Sequence, residues 1–120
     1  MMLTNEGEEK VLLTSFDLKV ETFLVLVKVF KGRKPVQVTA CPADGSVVFA
    51  GYGLRLQVPA KPCDSETFSI VFSTEWSRAA ADLKKWATND ELLRLEVRSL
   101  KVVEVMVIAE KAAFALPAGD

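Results

Sequence analysis

The sequence predicts an α+β protein made of a duplicated β-α-β-β-β unit, with two helices packed on antiparallel sheets. The stretch from Ser73 to Asp90 has the apolar spacing of one amphipathic helix. Most other segments alternate apolar and polar residues, as half-buried strands do. A second helix is predicted from Asp17 to Lys31, and the strands around it follow the same order as those around the first helix.

The composition is typical of one globular domain. The chain has 120 residues, of which 50% are hydrophobic and 26% are charged. Its formal charge of −1 means that binding to nucleic acid or to an anionic membrane would need a local basic patch. We expect Cys41 and Cys63 to be free thiols, with a disulfide between them as the alternative.

The ends of the chain and its apolar runs bear on localisation. Residues 1–9 are expected to form a flexible, charged lead-in to a single domain over residues 10–118. The opening residues are acidic and polar, which does not indicate a signal peptide. The longest apolar run, Phe23 to Val27, is far shorter than the roughly 20 residues that span a membrane. We therefore expect a cytoplasmic protein with no membrane partner.

The first unit, residues 10–60, is predicted to begin with a strand over Lys10–Phe16. Asp17 is placed to cap a helix that runs to Lys31, and Gly32 suits the position after a helix end. Three strands are then predicted, over Lys34–Ala40, Val47–Ala50 and Leu54–Val58. A Pro-Ala-Asp-Gly turn separates the first two of these strands, and a Gly-Tyr-Gly break separates the last two.

The first helix would have apolar residues on nearly all sides. The face predicted to be buried consists of Val20, Phe23, Leu24 and Val27. Val25 and Val29 fall on the opposite face, where they suit contact with another protein surface or another subunit. The β-branched content of the segment also permits a strand, which stays the alternative.

The second unit, residues 66–118, follows a Pro-containing linker over residues 59–65. A strand is predicted over Glu66–Phe72, and Ser73 or Thr74 can cap the helix that follows. The apolar stripe of that helix consists of Trp76, Ala80, Leu83 and Ala87. Asn89 is its predicted stop, after which three strands are predicted over Leu92–Val97, Lys101–Ala109 and Ala112–Leu116.

The two units align when the chain is shifted by about 58 positions. The shift places Ser15 on Ser73, and it places Asp17 on Glu75. It also places the run Val58-Pro59-Ala60 on Leu116-Pro117-Ala118. The alternative to a duplication is a chance similarity of the kind that any α+β chain shows at some offset.

A duplicated unit of this length resembles one domain of the DNA sliding-clamp family, which includes the bacterial polymerase processivity subunit and its archaeal and eukaryotic counterparts. The resemblance covers Lys10 to Ala118 and lies in topology and pattern rather than in a diagnostic motif. The closest local likeness is the run ETFSIVFSTEWSRAAADLKKWATNDELLRLEV, which is similar to the family's strand, capped helix, polar turn and next strand.

The resemblance implies an arrangement and a partner. In the family the two helices of each domain lie side by side on one face of the sheets. Several domains, normally about six, close into a ring whose helices line a channel around duplex DNA. The contacts are to phosphate, independent of base sequence and sensitive to salt. Family chains carry two or three such domains and this chain carries one, so a ring would need about six copies.

The resemblance makes exposed cations the candidate DNA contacts. These residues are Lys28, Lys31, Arg33, Lys34, Arg78, Lys84 and Lys85. For the second helix, the alternative is an ordinary solvated face on which Arg78 pairs with Asp82. For the cluster that begins at Lys28, the alternative is a role in solubility and in balancing the C-terminal end of the first helix.

No residue pattern predicts catalysis, a metal or a cofactor. The sequence has no histidine, its acidic residues are scattered, and neither cysteine has a basic neighbour in sequence. Trp76 and Trp86 could stack on bases, but we expect both to pack in the protein.

Two functions follow from these patterns. The first is a non-catalytic, clamp-like protein that acts in DNA replication or repair as a homo-oligomer. The alternative is a non-enzymatic interaction or assembly protein, such as one encoded by a phage or plasmid, which has the same fold and no DNA role.

Overall fold

A computed structural model of the chain describes residues 11–32, 34–99 and 102–119. The elements in chain order are β1 (Val11–Lys19), α1 (Val20–Phe30), β2 (Val36–Cys41), β3 (Ser46–Gly51), β4 (Leu54–Pro59), β5 (Glu66–Ile70), α2 (Thr74–Trp86), β6 (Leu92–Ser99), β7 (Val103–Ile108) and β8 (Ala113–Pro117). The order β-α-β-β-β therefore occurs twice, and the predicted α+β class is confirmed. The lead-in predicted over residues 1–9 lies outside the described residues.

The strands form two four-stranded sheets in which the halves of the chain exchange their first strands. One sheet has the order β1-β6-β7-β8 and the other has the order β4-β3-β2-β5, with every neighbouring pair antiparallel. Thus β1 completes the sheet of the second half, and β5 completes the sheet of the first half. Because neither half contains a complete sheet, the two halves form one folding unit rather than two.

Alternation along the strands places one face of each sheet in the core. In β2 the buried residues are Val36, Val38 and Ala40, and in β6 they are Leu93, Leu95 and Val97. These side chains belong to one apolar cluster that also takes in the inner faces of both helices. The helices are thus held by the same core that joins the two sheets.

The α1 helix begins at Val20, so the prediction that Asp17 caps it is wrong. Asp17 and Leu18 instead continue β1, opposite Arg94 and Leu93 of β6. The strand continues because Leu18 is buried at its position, and the Asp17 carboxylate lies 3.6 Å from Nε of Arg94 on the outer face. An inward-facing leucine is worth more here than a helix cap.

Backbone carbonyls from the segment after α2 take the place of the side-chain cap on α1. The N–H of Val20 donates to the carbonyl of Glu91 at 2.9 Å, and the N–H of Glu21 donates to Asn89 at 3.1 Å. Two of the free N–H groups at the start of α1 are therefore satisfied across the two halves.

The α1 segment is helical, and the alternative of a strand is wrong. The buried residues of α1 are Val20, Phe23, Leu26, Val27 and Phe30. Val25 and Val29 are exposed, as the helical wheel predicted, while Leu24 is only partly buried. The buried face is therefore rotated toward Leu26 relative to the predicted face.

The α2 helix runs from Thr74 to Trp86 and ends before the predicted stop at Asn89. Ser73 occupies the N-cap position, but its hydroxyl makes no capping hydrogen bond. The helix ends because Ala87 takes an extended conformation, with φ −90° and ψ 146°, and leads toward β6. The predicted stripe is buried at its first three positions, which places this face of α2 in the core.

The linker over residues 59–65 lies against β1. The buried hydroxyl of Thr14 donates to the carbonyl of Asp64 at 2.9 Å and accepts the N–H of Asp64 at 3.2 Å. The N–H of Cys63 donates to the carbonyl of Ser15 at 2.9 Å. These contacts cover the outer edge of β1, so this segment is an ordered part of the fold.

Ala60 and Ala118, which the sequence alignment placed together, have equivalent surroundings. Both are buried, and both follow a proline at the end of the last strand of their half. The hydrogen bonds are Ala60 N–H to Gly45 O (3.0 Å), Asp17 N–H to Ala60 O (2.8 Å), Ala118 N–H to Val103 O (3.1 Å) and Val71 N–H to Ala118 O (2.7 Å). The halves thus share a tertiary contact as well as an element order.

Candidate nucleic-acid and protein interface

The two helices contact one another through a cluster of aromatic rings. The ring of Phe23 in α1 lies 6.1 Å from that of Trp76 in α2, and the ring of Phe72 lies 5.0 Å from Trp76. Trp76 is 1% exposed, and its indole N–H donates to the carbonyl of Pro117 at 2.7 Å. Trp76 is a core residue, as expected, and it fixes α2 against both α1 and β8.

Trp86 is half-buried at the end of α2. Its indole N–H donates to a carboxylate oxygen of Asp82 at 3.3 Å. Within the described residues Asp82 forms no ion pair with Arg78, so the alternative of an Arg78–Asp82 pair is not found. Arg78 also forms no ion pair with any other carboxylate of the described residues.

The outer face of α2 presents basic side chains. Arg78, Ala81 and Lys85 are exposed, and Lys84 is exposed at one flank. Arg78 and Lys85 are seven residues apart, which places them on one line about 10 Å apart along the helix axis. Glu75, also exposed, adds one negative charge in the first turn.

The second group of predicted cations lies around the end of α1. Lys28, Lys31 and Lys34 are exposed, and Arg33 lies outside the described residues. Lys28 is in the last turn of α1 and Lys31 is its C-cap. Both can therefore also balance the negative end of the helix dipole. These positions suit both interpretations of the group, contact with DNA and balance of the helix end.

Tyr52 contacts the loop between α1 and β2, which carries Lys31 and Lys34. The sequence analysis missed this role of Tyr52. The N–H of Lys34 donates to the phenol oxygen at 3.3 Å, and the phenol O–H lies 3.4 Å from the carbonyl of Lys34. The ring also meets Phe30 edge-on at 6.1 Å. The signal in the sequence was a tyrosine between two glycines, in a turn where Tyr52 takes a φ of +56°.

A cleft of about 610 Å³ lies between the end of α1 and the start of α2. It is lined by Lys31, Gly32, Val71, Phe72, Ser73, Thr74 and Ser77. Its apolar lining residues, Val71 and Phe72, follow β5, and its hydroxyl-bearing residues, Ser73, Thr74 and Ser77, lie at the start of α2. Of the predicted cations, Lys31 lines this cleft.

The outer face of α1 is mixed in character. Val25 is 49% exposed and Val29 is 37% exposed, one turn apart on the same side of the helix. Glu21 and Lys28, also exposed, lie beside them. The structure therefore places both predicted interface valines on the surface, and it places two opposite charges among them.

Each sheet ends in a strand with one open side. The outer strands are β1 and β8 in one sheet and β4 and β5 in the other, and within the described residues each pairs with one neighbouring strand only. Residues 59–65 lie against the edge of β1. Leu54 is exposed at the start of β4. Open edges of this kind offer backbone N–H and C=O groups to another strand.

The cysteines and acidic residues of the described chain form no cluster that could bind a metal ion. Cys41 and Cys63 are free thiols, as predicted. Within residues 11–32, 34–99 and 102–119, no three Cys, Asp or Glu side chains come together as a metal ion would require. Neither α1 nor α2, in the part of the chain described, has the length and apolar character needed to cross a bilayer.

Comparison with known proteins does not assign a family or a function to this chain. A scan against protein-family models finds no match to this chain, and a search of curated proteins finds none either.

Proposed function

We propose that this protein is a non-catalytic, sliding-clamp-like protein that acts in DNA replication or repair. In this proposal it assembles from several copies of itself in the cytoplasm and contacts duplex DNA without regard to base sequence. The observation that carries the proposal is the pair of β-α-β-β-β halves whose helices pack together above two antiparallel sheets. That arrangement is the one that the sliding-clamp resemblance implies for a single domain.

The proposed DNA contact rests on the cations of α2. Arg78, Lys84 and Lys85 are exposed, and none of them forms an ion pair within the described residues. Exposed, unpaired cations on a rigid helix can neutralise phosphates and release counterions, which gives sequence-independent affinity. The core contacts of Trp76 hold that helix in place.

The proposed self-assembly rests on the open edges of the two sheets. Since β4 is an outer strand of one sheet and β8 is an outer strand of the other, β4 of one copy could pair with β8 of the next. A contact between two different surfaces repeats from copy to copy and closes into a ring when the rotation allows it. If each copy contributes one such domain, a ring of clamp dimensions would contain about six copies.

A measurement of mass in solution together with duplex binding tests the proposal. We expect an assembly of about six copies whose affinity for duplex DNA falls steeply as salt is raised from about 50 to 200 mM. A chain that stays monomeric or dimeric and binds no duplex at the lower salt concentration would refute the proposal. Single-stranded DNA of the same length serves as the comparison ligand.

A second candidate function is that of an assembly protein with the same fold and no DNA role, such as one encoded by a phage or plasmid. The observation that favours it is the exposure of Val25 and Val29 on α1, because apolar side chains do not suit a surface that faces phosphates. Self-association without duplex binding at any salt concentration would support this candidate over the first.

A further inference from the structure

Four exposed residues of α1 form one continuous stripe, which we call the α1 stripe: Glu21, Val25, Lys28 and Val29. Residues four or seven apart lie on the same side of a helix, so Glu21, Val25 and Val29 succeed one another along the axis and Lys28 lies beside them. The rest of α1 is buried or partly buried. The stripe is therefore the surface that α1 offers to a partner.

The two charges of the α1 stripe have no partner inside the described chain. Glu21 and Lys28 are separated by two helical turns, about 10 Å, which is too far for them to pair with each other. Neither forms an ion pair with another described residue. Val25 lies close to the midpoint between them, where it is 49% exposed.

This spacing makes the α1 stripe complementary to itself. If a second copy of α1 is laid against the first in the antiparallel direction, Glu21 of each copy meets Lys28 of the other. Val25 of one copy then meets Val25 of the other at the two-fold axis. In a parallel arrangement like charges would face each other, which disfavours it.

We propose that α1 is a self-association surface, on which two copies of this chain pair through antiparallel α1 helices related by a two-fold axis. Two Glu21–Lys28 contacts flank the paired Val25 side chains in this arrangement. A contact between identical surfaces related by a two-fold axis closes on itself and stops at two copies.

The contact is expected to be weak. The helix has 11 residues, a length of about 16 Å, and the stripe alone covers much less than the roughly 800 Å² per partner of a stable interface. Association should therefore depend on concentration in the micromolar range or above. Apolar burial of the paired Val25 side chains supplies affinity, and the charges set the direction of pairing.

This surface goes beyond the proposed DNA-binding function, and it deepens the second candidate function, on whose exposed Val25 and Val29 it rests. It uses neither the cations of α2 nor the open edges of β4 and β8. Pairing through α1 can consequently fail while DNA binding succeeds, or succeed while DNA binding fails. The two proposals are distinguished by variants on different helices.

Charge reversal and its compensation test the pairing. Sedimentation velocity of the wild-type chain, E21K, K28E and the double variant E21K/K28E is measured over a range of concentrations. Each single variant replaces two opposite-charge contacts with two like-charge contacts, so its association should weaken about tenfold. The double variant restores both contacts, so its association should return to within about threefold of the wild type.

The controls separate this contact from general effects. K61E makes the same charge change as K28E at an exposed position of the segment between β4 and β5, and its association should equal that of the wild type. Val25→Asp should abolish the α1-dependent step, and far-UV circular dichroism checks that it remains folded. If it unfolds, the charge-reversal set still decides the matter.

Three outcomes would overturn the proposal. The first is a wild-type chain that shows no self-association up to about 1 mM. The second is self-association that neither E21K nor K28E weakens. The third is a double variant that associates as poorly as the single variants, because self-complementary charges require recovery.

Discussion

Gly32 lies directly against the phenol of Tyr52, so closely that a Cβ at position 32 would stand 2.5 Å from the phenol oxygen. Gly32 also has a φ of +150°, a conformation that residues with side chains rarely adopt. The phenol oxygen in turn contacts the backbone of Lys34. The end of α1 and the turn between β3 and β4 are thus locked together through one close approach.

The substitution Gly32→Ala should destabilise the protein by about 2–4 kcal/mol, because it combines backbone strain with overlap against Tyr52. Urea denaturation followed by circular dichroism measures the change. Gly119→Ala is the matched control, since open space surrounds that position and its stability should hardly change. In a Tyr52→Phe background the loss caused by G32A should be smaller, because the overlapping oxygen is gone; an equal loss would mean that backbone strain alone is responsible.

Most strands and helices of this fold were predictable because the spacing of apolar residues that marks each of them lies within one short segment. Alternation marked the strands, as in β2, where Val36, Val38 and Ala40 are buried, and a spacing of three or four marked α2. The turn at Gly45, with a φ of +63°, follows from glycine's freedom at positive φ. Each of these signals lies within one segment of the chain.

The exchange of first strands was not predictable from the same signals. Whether β1 pairs with β2 or with β6 depends on contacts between residues far apart in sequence, which no local period records. The same reason explains the error at Asp17. Its sequence neighbours suit a helix cap, but its position is set by pairing with Arg94.

The exposure of residues in the candidate site could be predicted from the helical spacing, but the partners of their side chains could not. The helical wheel gave the exposed positions of Val25 and Val29 correctly. It could not show that Asp82 would accept a hydrogen bond from Trp86 rather than pair with Arg78. Either partner is one helical turn from Asp82, so the choice between them is made by tertiary packing.

The substitution Trp76→Phe should cost about 2–3 kcal/mol, since it shrinks a fully buried side chain and leaves the carbonyl of Pro117 without its donor. Trp86→Phe is the matched control. That indole is only half-buried, and its loss should cost less than about 1 kcal/mol. Denaturation is followed by circular dichroism, since tryptophan fluorescence changes in both variants. Equal costs would show that Trp76 is not the side chain that anchors α2.

The substitution Thr14→Val should cost about 1–3 kcal/mol, because it keeps the shape of a buried side chain but leaves both backbone groups of Asp64 without their partner. Amide hydrogen exchange at Asp64 should become faster, since the linker loses its contact with β1. Thr14→Ser keeps the hydroxyl and loses one methyl group, so it should cost about 1 kcal/mol and preserve the slow exchange. Fast exchange at Asp64 in the wild type would mean that the hydroxyl does not hold the linker.

The double substitution R78E/K85E should abolish most duplex binding if α2 contacts phosphates, because it replaces two aligned cations with two anions. Fluorescence anisotropy of a labelled duplex, measured over a series of salt concentrations, gives both the affinity and its salt dependence. For each bound copy the slope of log affinity against log salt should become shallower by about two, since two phosphate contacts are lost. The matched control is K61E/K111E, which makes the same change in net charge at exposed positions outside both helices. If the two double variants weaken binding equally, the affinity follows the net charge of the molecule, and α2 is not the surface that meets DNA.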